Sequence, residues 1–130
     1  MRRAHATPPR ELEIRTEFDI VAMRQEVRQA ARTLGLGLTQ QAKISAAIST
    51  IARALLAANC HTTMCMWTDT IASRPVMEIS CALSTSQLSV DLIQLTQLLH
   101  FGQAQVLVDE ATLSLDGDSV LCCLRMWHTL

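Results

Sequence analysis

Three groups of residues in this 130-residue chain bear on what chemistry it could do. The first is sulfur and imidazole: Cys60-His61 with Cys65, and the adjacent pair Cys122-Cys123. Thiolates and imidazoles hold zinc, but structural zinc sites pair their cysteines as C-x2-C, and the spacing here is C-H-x3-C. Cys122 and Cys123 fall in a strand pattern, where neighbouring side chains point to opposite faces. The expected reading is therefore five reduced thiols packed as small hydrophobes, with no metal. The second group is Arg24, Arg28 and Arg32, which recur every fourth residue and so share one line of a helix. Like charges at that spacing repel by a few tenths of a kcal/mol per pair (an approximate figure), and Glu26 lies off their line. The stripe suits docking against an acidic surface, and a solvated helix face is the competing reading of the same residues. The third is an absence: no Ser-His-Asp, Cys-His or paired-carboxylate pattern stands out, and the chain has no tyrosine.

The elements that must position these residues follow from hydrophobic periodicity. Residues 1–10 read as a disordered tail, since Pro8-Pro9 and the lack of apolar side chains leave nothing to pack. Leu12, Ile14, Thr16 and Phe18 alternate with Glu11, Glu13, Arg15 and Glu17, which predicts a half-buried strand over 11–18. Asp19 then reads as an N-cap, with Ile20, Met23, Val27, Ala30, Ala31 and Leu34 on one helical face and Gly35 as the stop. Thr39 is the expected cap of a second helix, whose stripe is Ile44, Ala47, Ile48, Ile51, Leu55 and Ala58, with Asn59 ending it. Arg53 falls on the polar side of that helix. Two strands are predicted at 62–67 and 76–83, joined by a turn at Ser73-Arg74-Pro75. Ser84 or Ser86 should cap a third helix carrying Leu88, Leu92, Leu95, Leu98 and Leu99, with Gly102 terminating it and His100 neutralising its C-terminus. Asp116-Gly117 marks a closing hairpin between 111–115 and 120–127. Met23, Met64, Met66, Met77 and Met126 are expected in the core.

Composition narrows the class. Hydrophobic residues make up 49% and charged residues 18%, with a mean hydropathy of +0.22. So apolar a chain is expected to have part of its surface covered by a partner. A net charge of −1 gives no general reason to expect nucleic acid or anionic lipid as a partner. The apolar stretch 42–58 is broken by Lys43, Ser45, Ser49, Thr50 and Arg53, so no membrane span is expected. Thr7 to Arg10 stand where a signal peptide would need its apolar run. Together with an odd number of cysteines, this predicts one cytoplasmic domain over 11–130.

Three segments, in order, resemble one family. Gly35-Leu36-Gly37-Leu38-Thr39-Gln40-Gln41-Ala42-Lys43-Ile44 resembles the loop and helix start of bacterial anti-sigma-factor serine kinases, the RsbW/RsbT type of the GHKL ATPase superfamily. Ala47-Ile48-Ser49-Thr50-Ile51-Ala52-Arg53-Ala54 is similar to that family's I-S-E-L-A-R-N helix motif, and residues 108–120 look like its final hairpin. The resemblance implies an α+β, two-layer sandwich with a mixed, mostly antiparallel sheet and three helices on one face, a reduced GHKL or Bergerat-like fold. It also implies partners: a sigma factor, or a STAS-domain antagonist of an anti-sigma factor, with a homodimer left open.

The departures carry the functional expectation. The family's catalytic Glu and magnesium-holding Asn fall at Thr50 and Ala54, which can neither take a proton from an attacking hydroxyl nor coordinate a hard cation. Its D-x-G-x-G falls over 79–85, around Ala82, where this chain has neither Asp nor Gly. Phosphoryl transfer rests on positioned, metal-held phosphates. The expectation is thus a regulator that binds protein, without catalytic residues, nucleotide cofactor or metal, docking its partner through Arg24, Arg28, Arg32 and Arg53. The main alternative is a divergent ATP-dependent serine kinase recruiting Glu78, Asp91 or Asp109. A further alternative is a structural subunit of a larger signalling complex.

Overall fold

The computed structural model describes residues 9–84 and 91–129. The chain runs β1 (Arg10–Ile14), α1 (Glu17–Leu34), α2 (Leu38–Ala57), β2 (Thr62–Ile71), β3 (Arg74–Ser84), α3 (Leu92–Leu98), α4 (Phe101–Gln105), β4 (Glu110–Asp116) and β5 (Ser119–Trp127). The five strands form one sheet in the order β1-β2-β3-β5-β4. Each neighbouring pair is antiparallel, so the expected mixed sheet is corrected to a purely antiparallel one. Four helices stand among the described residues where three were expected.

Alternation divides the sheet. Met64 and Met66 of β2, Met77, Ile79, Cys81 and Leu83 of β3, and Val120, Cys122, Leu124 and Met126 of β5 share one core with Ile20, Met23, Val27 and Ala31 of α1. The α2 stripe Ile44, Ala47, Ile48, Ile51 and Leu55 joins the same cluster, as do Leu95, Phe101 and Ala104. All five methionines expected in the core are there. The opposite row of β3, namely Val76, Glu78, Ser80 and Ala82, therefore faces away from the helices.

The boundary shifts have local causes. β1 stops at Ile14 because Thr16, in extended backbone, is the cap of α1. Thr16 Oγ1 accepts from the Asp19 N–H at 3.3 Å, and Asp19 Oδ2 accepts from the Thr16 N–H at 3.0 Å. Asp19 is thus the reciprocal member of a capping box and not the cap itself. The N–H of Arg15, foremost, together with that of Thr16, holds the Asp19 carboxyl below its ordinary value. Arg10, expected in the tail, is the first residue of β1 and its guanidinium meets Glu26 at 2.6 Å.

Gly35 ends α1 at φ +93, as its type predicts. The cap of α2 is Gly37 and not Thr39; Gln40 Oε1 accepts from the Gly37 N–H, while Gln40 Nε2 donates to the Trp127 carbonyl at 2.8 Å. That second bond ties the start of α2 to the end of β5. The β2–β3 turn falls on Ala72-Ser73, both at positive φ, so Arg74 and Pro75 belong to the strand. The last hairpin turns on Gly117-Asp118, one residue later than expected, with Gly117 at φ +64.

The next helix among the described residues begins at Leu92 under an Asp91 cap; the helix start expected after Ser84 falls on residues 85–90, outside the described residues. Ser86 and Leu88 lie outside the described residues. His100 takes a left-handed conformation that breaks the helical run, so Gly102 sits inside α4 instead of ending α3. Two stability predictions follow from this packing. A Cβ on Gly35 would meet the His128 ring at 3.3 Å and would also strain a positive φ, so Gly35→Ala should cost about 1–2 kcal/mol in urea unfolding. Ser45 Oγ is buried without a hydrogen-bond partner among the described residues, so Ser45→Ala should leave the domain as stable or raise it by about 1 kcal/mol.

Candidate functional site

The capping box that starts α1 also decides what α1 shows to solvent. Because the helix begins at Glu17, Phe18 lies on it and stands 85% exposed, with Val21 49% exposed one turn on. Phe18, Val21, Gln25, Arg28 and Arg32 follow i, i+3, i+7, i+10 and i+14, one stripe about 21 Å long, with Arg24 flanking it. Val21, Arg24, Gln25 and Arg28 line a shallow depression of about 180 Å³. The sequence reading placed Phe18 in a strand and missed this apolar half. The Thr16-x-x-Asp19 pattern was the signal that could have found it.

The described arginines divide into two groups. Arg10 pairs with Glu26, Arg15 with Glu13 at 3.5 Å, Arg53 with Glu17 at 3.8 Å, and Arg125 with Glu78 at 2.8 Å. Arg74 donates to the His128 carbonyl and lies 5.2 Å from the Trp127 ring centroid. Arg24, Arg28 and Arg32 meet no carboxylate among the described residues. Glu26, the acid nearest to them in sequence, is held by Arg10 on the sheet side. Arg53 is thus set apart from the other three: its carboxylate partner sits at the Phe18 end of α1.

The positions matched to the family's nucleotide machinery are not gathered in one place. The Thr50 hydroxyl donates to the Ala46 carbonyl one turn back along α2, at 3.0 Å. Ala54 is packed into the core at 9% exposure. Ala82 faces the other side of the sheet, where it lines an open cleft with Glu11, Glu13 and Thr63. The sheet lies between Ala82 and α2.

The three carboxylates considered as substitutes each hold structure. Glu78 grips Arg125, which also approaches Glu110 at 3.8 Å. Asp91 Oδ1 accepts from the Gln94 N–H at 2.8 Å and caps α3. Asp109 Oδ2 accepts from the Trp127 N–H at 2.7 Å, and its own N–H donates to the Arg125 carbonyl, which fixes the start of β4.

The cysteines are split by the sheet. Cys81 and Cys122 are directly opposite one another on β3 and β5, facing the helices, a pairing not legible in their sequence spacing. The hydrogen bond with Cys122, and then burial, pushes the Cys81 thiol well up. Cys123 faces the other side beside Glu78, and burial with that negative charge pushes its thiol up to about 12. Burial also raises Cys60. Among the described residues no group of three or more His, Cys, Asp or Glu side chains is placed to hold a metal ion. At pH 8 only about one part in ten thousand of Cys123 is thiolate. Iodoacetamide at that pH should therefore leave Cys123 unmodified in the native protein and alkylate it in guanidinium, as read by peptide mass spectrometry.

No family model matches the chain. Over 40 residues it is 55% identical to the serine/threonine-protein kinase RsbT of Bacillus subtilis (strain 168). That segment is 31% of this chain and 30% of the relative, so the likeness spans under a third of that protein's length.

Proposed function

We propose that this chain is a cytoplasmic, protein-binding regulator of a partner-switching system related to that of RsbT, and that it works without catalysing phosphoryl transfer. Its partner is a sigma factor or a STAS-domain antagonist with an acidic surface, and it docks on α1. The observation that carries this reading is the row Arg24, Arg28 and Arg32, which meets no carboxylate among the described residues, beside the exposed Phe18 and Val21. Arginine beside an exposed aromatic is the composition of interface hot spots. An array of cations left without carboxylates costs repulsion in the free protein and gains attraction when an acidic surface arrives. Arg53, neutralised by Glu17, contributes at most at the edge of this surface.

The non-catalytic part rests on side-chain chemistry. Thr50 and Ala54 supply neither base nor cation ligand, and Ala82 stands across the sheet from them. Glu78, Asp91 and Asp109 are each engaged in holding the fold. The identity with a serine/threonine-protein kinase over 40 residues favours a second reading, a divergent ATP-dependent kinase. Thermal melting separates the two. A nucleotide at 100 times its dissociation constant would add about 2.7 kcal/mol, so the melting temperature should be the same with and without millimolar Mg-ATP. A clear upward shift would overturn the reading without nucleotide and favour the kinase reading instead.

The docking surface has its own test. Arg24→Glu with Arg28→Glu should change stability by less than about 0.5 kcal/mol, because Arg28 is exposed and Arg24 is only half-buried. Association with the protein that co-purifies with the native chain should slow by at least tenfold, and wild-type association should slow as salt rises. Unchanged kinetics across salt concentrations would remove α1 as the docking face.

A further inference from the structure

The two edges of the sheet are built differently. β1 is five residues long, follows Pro9, and carries Arg10, Glu11 and Glu13, with Arg10 bridged to Glu26 on α1. Charges, proline and shortness are the devices by which edge strands refuse further pairing. β4 is seven residues long and its sequence, Glu-Ala-Thr-Leu-Ser-Leu-Asp, contains no lysine, arginine or proline. Among the described residues it pairs on one side only, with β5. Leu115, near the far end of β4, is a large apolar side chain 65% exposed.

The hairpin fixes which backbone groups are on offer. A two-residue loop closes on the pair Asp116–Ser119, which exchanges hydrogen bonds, so alternation aims the N–H and C=O groups of Ala111, Leu113 and Leu115 away from β5. We propose that this edge is a self-association surface, and that a second copy of the chain adds its own β4 antiparallel to the first, making one continuous sheet. The inference is independent of the function proposed for α1.

The sequence of β4 selects the register. A two-fold axis through Leu113 would set the acidic residues Glu110 and Asp116 of opposite copies against each other. An axis through Thr112 avoids this. It places Glu110 opposite Ser114 of the second copy, Ala111 opposite Leu113 of the second copy, and Thr112 opposite Thr112 of the second copy. Ala111 and Leu113 are both residues whose backbone groups face outward, so their pairs are hydrogen-bonded ones. They also both face the helix side, where apolar meets apolar and the core continues across the junction. Like charges directly opposite destabilise a pair of strands, whereas threonine against threonine and apolar against apolar stabilise it. A junction made by one seven-residue strand from each copy gives a concentration-dependent dimer and not an obligate one.

Light scattering coupled to size exclusion tests this over a range from low to high micromolar protein. The mass should climb from 14.3 kDa towards twice that value. Leu115→Pro removes an outward N–H while leaving the β4–β5 ladder intact, and should hold the protein at monomer mass with its melting transition retained. Should that variant fail to fold, Leu115→Lys places a charge at the same exposed position and should give the same result. Thr112→Cys should form a disulfide-linked dimer under diamide, where the wild type does not. Arg24→Glu with Arg28→Glu should dimerise as the wild type does. A wild-type mass fixed at the monomer value, dimers that persist in both Leu115 variants, or a Thr112→Cys protein that fails to cross-link would each overturn the proposal.

Discussion

Met77, Ile79, Cys81 and Leu83 of β3 can leave water only beneath α1 and α2, and everything else in the domain is arranged around that burial. β3 is the middle strand of five, paired with β2 on one side and β5 on the other. Its inner row meets Met64 and Met66 from one neighbour and Leu124 and Met126 from the other. At about 25 cal/mol per Å² of apolar surface removed from water, such a row outweighs any single hydrogen bond in the molecule. The helices are therefore fixed by their inner stripes, and their outer faces are free to vary.

That freedom is what α1 uses. Its buried positions Ile20, Met23, Val27 and Ala31 satisfy the core, which leaves Phe18, Val21 and the arginines with no structural duty. Glu26 and Glu17, the carboxylates that could have quieted the surface, are drawn to Arg10 and Arg53 instead. The result is a segregated charge pattern on a chain whose net charge is only −1. The sheet face turned from the helices shows the opposite habit. There Glu78, Arg125, Glu110 and Trp127 are bound to one another, so its polar groups act as fasteners between β3, β5 and β4.

The carboxylates that could have served catalysis follow the same logic. Asp109 closes the start of β4 against Trp127, and Asp91 closes the start of α3. Each satisfies backbone N–H groups that would otherwise lack a partner. A carboxylate so held accepts hydrogen bonds in a fixed direction and is poorly placed to receive a proton from a substrate or to follow a metal ion.

Local chemistry in the sequence determined most of the element order. The inner stripes of α1 and α2, the stop at Gly35, the two hairpins and the methionine core were all legible, because periodicity and turn residues act over a few neighbours. Where two local signals competed, the reading failed: alternation through Phe18 argued for strand, while Thr16 and Asp19, closing a capping box, began the helix three residues earlier than read. The break at His100 was equally hidden, since a residue other than glycine seldom adopts the left-handed conformation it takes there. Tertiary structure alone decided the rest. It set Cys81 against Cys122, and put the sheet between Ala82 and the helix that carries Thr50 and Ala54. It also withdrew Glu26 from the arginine stripe and left one edge of the sheet guarded and the other bare. These are matters of which strand lies beside which and which side of a sheet a residue faces. A one-residue shift in register reverses every such assignment, and only the packed core fixes it.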